Sequence, residues 1–81
     1  MRPEELYRQL HQQPFQPFRI HLSNGKSFEV RHPELAMVGL NSVWIGRPAR
    51  NLPIPVFDDY DVVSLMHINN LEPLPAGPPA N

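Results

Sequence analysis

Between Pro17 and Arg31, apolar and polar side chains alternate. Phe18, Ile20 and Leu22 interleave with Arg19, His21 and Ser23, and Phe28 and Val30 interleave with Ser27, Glu29 and Arg31. Each run therefore offers one apolar face, as a half-buried strand does. The Asn24-Gly25 step between them predicts a β-hairpin, and the pattern also selects its register. A two-residue Asn24-Gly25 loop would set Ile20 opposite Glu29 and Leu22 opposite Ser27, mixing polar groups into the apolar face. A three-residue loop, Ser23-Asn24-Gly25, with Gly25 at positive φ, sets Ile20 opposite Phe28 and Phe18 opposite Val30. Arg19 then faces Glu29 across the outer side as a cross-strand ion pair.

Upstream, Leu6, Tyr7 and Leu10 recur on one helical face. Pro3 suits a first helical turn and Glu4 and Glu5 complement its positive end, so a helix is predicted from Pro3 to Gln12, stopped before Pro14. Downstream, Pro33 removes a ladder donor and ends the second strand, and the simplest role for His32 or Glu34 is a hydrogen bond to backbone at that turn. Ala36, Val38 and Leu40, then Asn41-Ser42, then Val43 and Ile45 predict a second hairpin with a two-residue Asn41-Ser42 loop. That register pairs Leu40 with Val43 and Val38 with Ile45. Its other face carries Trp44 opposite Gly39, where the indole would cover bare backbone, and Met37 opposite Gly46.

The run from Arg47 to Val56, with Pro48, Pro53 and Pro55, is too proline-rich for an inner strand and reads as the long connection. Phe57 to Val63 predicts a fourth strand, with Phe57, Tyr60, Val62 and Val63 as candidates for burial and the aspartates at its start in a solvated turn. Ser64 to His67 reads as one tight helical turn, and Ile68 to Leu74 as the last strand. The proline-rich segment 75–81 has no apolar period and is expected to be a disordered tail beyond a single domain, 1–74.

Composition narrows the classes. A chain of 81 residues buries only about 60% of its unfolded surface, so association would add stability. A formal net charge of −1 sets up no broad field for nucleic acid or acidic lipid. The absence of cysteine excludes disulfides and thiolate zinc sites and fits a cytoplasmic setting. Arg2, Glu4 and Glu5 stand where a signal peptide would need an apolar run, and no stretch is long enough to span a membrane.

The string Pro14-Phe15-Gln16-Pro17-Phe18-Arg19-Ile20-His21-Leu22-Ser23-Asn24-Gly25, continuing to Val30-Arg31-His32-Pro33-Glu34, resembles a group of small uncharacterised bacterial proteins that share the pattern PFxPFxIxLxxG…VxHPE. The resemblance reaches from Glu5 to Leu74 and implies no activity, cofactor or catalytic residue. More distantly, the order of helix, hairpins, one-turn helix and closing strand is similar to small SH3-like barrels and to Sm-like RNA-binding rings. The fold expected is mainly β: an N-terminal α-helix followed by a strongly bent five-stranded antiparallel sheet or a small SH3/Sm-like barrel.

Chemistry is sparse. His11, His21, His32 and His67 have no metal-ligand spacing. Asp58, Asp59 and Asp61 lack the glycine turn and downstream glutamate of a calcium loop. None of Ser23, Ser27, Ser42 or Ser64 lies in a nucleophile elbow. No enzyme activity, metal or cofactor is expected. The reading favoured is a non-catalytic protein-interaction or self-association module, a homo-oligomer or one bound to another protein, with Met37, Trp44 and the proline-rich loop as its surface. The alternative is an Sm-like RNA-binding ring using Arg19, His21, Arg31, Arg47 and Arg50, with Trp44 stacking on a base.

Overall fold

The computed structural model describes residues 1–75. The tail expected at 75–81 lies outside the described residues apart from Pro75. The chain forms α1 (Pro3–Leu10), β1 (Phe18–Leu22), β2 (Ser27–Val30), β3 (Ala36–Val38), β4 (Ser42–Pro48), β5 (Phe57–Ser64) and β6 (Ile68–Pro73). Short 3₁₀ turns at Pro33–Leu35 and Leu65–His67 precede β3 and β6.

The first hairpin has the register its alternation predicts. Phe18 pairs with Val30, Arg19 with Glu29 and Ile20 with Phe28. The Leu22 N–H donates to the Lys26 carbonyl at 2.9 Å, leaving Ser23, Asn24 and Gly25 as the loop, with Gly25 at φ +89°.

The six strands make two three-stranded antiparallel sheets, ordered β2-β1-β6 and β3-β4-β5. The described residues form no single five-stranded sheet and no closed barrel. The division follows from Pro33, which has no N–H with which to extend the β2 ladder. The chain instead makes a 3₁₀ turn, closed by the Leu35 N–H on the His32 carbonyl at 3.0 Å, and emerges as β3 in the other sheet. His32, at the N-cap, makes no side-chain cap hydrogen bond, and among the described residues no backbone bond from the His32 or Glu34 side chain is seen. The Leu65–His67 turn returns the chain from β5 to β6.

Between the sheets lies one core. Phe18, Ile20 and Val30 from one inner face meet Val43, Ile45 and Val63 from the other, with Leu65 and Ile68 at the return turn. Leu6 and Leu10 of α1 complete it, and Leu6, Phe18 and Ile20 are fully buried. The helix ends at Leu10, two residues before the predicted Gln12. At His11, φ −108° and ψ 14° have left the helical region.

The second hairpin departs from expectation. Val38 pairs with Val43, Met37 with Trp44 and Ala36 with Ile45, so the turn lies one residue earlier, on Leu40 and Asn41. The Gly39 N–H donates to the Ser42 carbonyl at 2.7 Å across it. Both registers keep the same residues facing the core, so alternation alone does not separate them. Packing at Gly46 separates them: a Cβ there would lie 3.2 Å from Phe57 Cβ and 3.3 Å from Leu35 Cδ2. Phe57 and Leu35, rather than Met37, occupy the space over Gly46, and Trp44 does not cover Gly39. Leu40, expected in the ladder, is 84% exposed.

Two further corrections concern β4 and β5. Arg47 and Pro48 belong to β4, the central strand of its sheet, with Pro48 at its end beyond a register shift. The shift lets the proline leave the regular ladder. Asp58, Asp59 and Asp61 lie on β5 rather than in a turn. Of the four β5 residues expected to be buried only Val63 is, because Tyr60 and Val62 share the side of the sheet that faces away from the core.

Candidate interaction surface

The ladder positions of β3, β4 and β5 build one outer face. Met37 stands opposite Trp44, Trp44 opposite Val62, and Gly46 opposite Tyr60. Alternation puts Val43, Ile45 and Val63 into the core and these residues on the other side. The register shift beside Pro48 brings Phe57 to the same face, edge-on to Tyr60 with centroids 6.5 Å apart and planes at 87°. Trp44 and Tyr60 stack with centroids at 5.2 Å and planes at 19°. Gly46 makes this packing possible by leaving room between Leu35 and Phe57.

The result is a groove of about 420 Å³ lined by Met37, Trp44, Phe57, Tyr60 and Pro55, with Leu35, Gly46 and Glu34 completing its wall. A larger cleft of about 560 Å³ runs between the first hairpin and β5, past Lys26, Phe28, Ser64 and His67. Among the described residues, the side-chain hydrogen bond between its polar residues runs from the Lys26 N–H to Asn24 Oδ1 at 2.9 Å, a contact within the hairpin loop itself. In the aromatic groove the side chains are ordered by stacking and remain exposed, Met37 at 67%, Phe57 at 54% and Trp44 at 43%. The stacked Trp44–Tyr60 pair presents a flat platform. Its rings are too close together to enclose a cation between them.

Of the cationic residues singled out in the sequence, Arg19, His21, Arg31 and Arg47 lie in two ion-pair groups. On the outer face of the first sheet, Arg19 donates to Glu29 at 2.7 Å and to Glu72 at 3.3 Å, and Arg31 donates to Glu29 at 3.0 Å. His21 Nε2 lies 2.8 Å from Glu72 Oε1. Hydrogen bonds from Arg19 and then Arg31 hold the Glu29 carboxyl below its ordinary pKa, and the hydrogen bond with His21 does the same for Glu72. In the second group Arg47 grips Asp61 with two bonds, at 3.0 and 2.9 Å, and lies 3.7 Å from Asp59. The paired Asp61 carboxylate raises the Arg47 pKa. Arg50 is exposed in the following connection and has no ion pair among the described residues.

Met37, Trp44 and the proline-rich connection, the surface expected from the sequence, thus come together. Phe57, Tyr60 and Val62 complete it, although the pattern had placed them in the core. Asp58, Asp59 and Asp61 carried a usable signal: with aspartate on both sides of β5, neither side of that strand is wholly apolar, as befits an edge strand. Among the described residues no three His, Cys, Asp or Glu side chains gather as a metal site, and no helix is long and apolar enough to cross a membrane. No family model, curated protein or solved structure matches the chain.

Proposed function

We propose that this chain is a non-catalytic protein-interaction module that binds through the outer face of β3, β4 and β5. The observation that carries this reading is the aromatic face itself. Met37, Trp44, Phe57, Tyr60 and Val62 all lie exposed on one side of one sheet. At about half of the ~150–250 Å² a large side chain can bury, they make a patch on the order of 500 Å², toward the upper end of what monomers leave uncovered. The occupant is either a second copy, making a homo-oligomer, or another protein.

The alternative of an Sm-like RNA-binding ring is weakened by the ion pairs. Arg19, His21 and Arg31 are matched by Glu29 and Glu72, and Arg47 by Asp59 and Asp61, which reduces the charge free to meet phosphates.

The chain has one tryptophan, and it lies on this face. Acrylamide quenching of Trp44 therefore reports directly whether the face is covered. The expectation is strong quenching in dilute solution and protection when a protein or peptide ligand binds, with no protection by a single-stranded RNA oligonucleotide. Micromolar, steeply salt-dependent RNA binding that is lost in Arg19→Ala or Arg31→Ala would overturn the reading.

A further inference from the structure

Resting on the docking reading above, we infer that the occupant of the aromatic face is an extended, Lys- or Arg-bearing segment of another protein, which adds to the free edge of β5 as a fourth strand. The sheet ends at β5, an eight-residue strand paired on one side only, by β4. Among the described residues no strand pairs with its other edge, which is long enough to template another; the Tyr60 N–H donates to Asp59 Oδ1 at 2.8 Å and would be free to join a ladder only once that contact opens. That edge is continuous with the groove, because Phe57 and Tyr60, which line it, belong to β5. Side chains of an added strand alternate between the two sheet faces. One set would extend the aromatic platform beside Tyr60 and Val62, and the other would lie beside Asp59 and Asp61.

Charge decides what kind of strand fits. Asp58, Asp59 and Asp61 lie on β5 and Glu34 beside the groove; among the described residues Arg47 is the ion-pair partner of Asp59 and Asp61, and Glu34 and Asp58 have none. A strand carrying Lys or Arg between apolar residues complements this edge.

The β5 strand of a second copy does not. Directly opposed residues of a two-fold antiparallel pair share a face, so each such register centres on one residue. Centring on Tyr60 sets Asp59 opposite Asp61. Centring on Asp58, Asp59 or Asp61 sets that aspartate opposite itself. Every register centred within Asp58–Asp61 thus opposes like charges, which destabilises the pair, and a register centred on Val62 avoids this only by pairing no more than residues 60–64 of the strand.

The test is selection from a phage-displayed library of random peptides against the full chain, followed by titration of the synthetic consensus peptide. Enrichment of sequences that alternate apolar residues with Lys or Arg is expected, together with protection of Trp44 from quenching and slowed exchange of β5 amides in the complex. Trp44→Ala should weaken binding at least about thirtyfold, as loss of a central aromatic does. Asp58→Lys, a change at an exposed unpaired site, should weaken it about fivefold with an unchanged melting temperature. Methylating the peptide backbone at alternate nitrogens removes ladder donors and should cost about tenfold or more if the ligand is a strand.

Enrichment of acidic sequences, of proline-rich sequences without alternation, or tolerance of backbone methylation would overturn strand addition while leaving the aromatic face as a docking surface. Self-association that protects Trp44 without any peptide would do the same. Absence of enrichment combined with a Trp44 that stays quenchable at every protein concentration would overturn both readings.

Discussion

At Gly25 the conformational term can be isolated from packing. The residue sits at φ +89° in the three-residue loop, and a Cβ built there meets nothing within 4 Å. Any loss in Gly25→Ala therefore comes from the backbone, since an L-residue at positive φ sets its Cβ against the adjacent peptide carbonyl at a cost of about 1–2 kcal/mol. For a domain of this size each 1 kcal/mol lowers the melting temperature by about 4–8 °C, so a fall on the order of 4–16 °C is expected. Calorimetry or circular dichroism melts measure it. D-alanine at the same position, introduced by chemical synthesis, gives the opposite sign. Positive φ is natural for a D-residue, and the unfolded chain loses freedom, so stability should rise by about 0.4–1 kcal/mol. An unchanged midpoint for Gly25→Ala, or equal losses for the L- and D-residues, would refute both the loop assignment and the reasoning from φ.

Two further expectations follow from burial and from the ion pairs. Ile20→Ala, at a fully buried site, should cost about 2–5 kcal/mol in urea unfolding, whereas Leu40→Ala, at 84% exposure, should stay within about 0.5 kcal/mol. A large loss at Leu40 would restore the register in which Leu40 pairs with Val43. Glu29 and Glu72 have folded pKa values below the ordinary 4.5, so between the two values the unfolded chain binds more protons and stability rises with pH. Their contribution is complete above the ordinary value and is lost as pH falls through the folded ones. Urea midpoints from pH 7 to pH 3 should therefore drop at the acid end, and less steeply in Glu29→Gln/Glu72→Gln.

The first hairpin was legible in the sequence because every interaction that sets it is local. Gly25 supplies the one positive φ, the loop spans three residues, and only one register keeps Phe18, Ile20, Phe28 and Val30 on a common face. The Arg19–Glu29 pair follows from the same register. The turn of Leu65–His67 and the starts of α1 and β6 were similarly set by proline positions and short-range periodicity, whereas α1 stops at Leu10, short of the predicted Gln12. For the candidate surface, the sequence marked Met37 and Trp44 because they share the face of the second hairpin that its aliphatic residues leave free.

The rest depended on contacts distant in the chain. Two registers of the second hairpin bury the same valines and isoleucine, and the choice between them falls to Leu35 and Phe57 packing over Gly46. Alternation along β5 defines two faces and does not say which one a second layer covers. That depends on where the other sheet and α1 lie, and they lie against Val63, leaving Phe57, Tyr60 and Val62 beside Trp44 on the outside. Division into two sheets likewise required the 3₁₀ turn at Pro33 to carry the chain across the core, where a continuing strand would have bent the first sheet around it. Local chemistry specifies turns and periods, whereas which apolar face is inside is settled only when the layers meet.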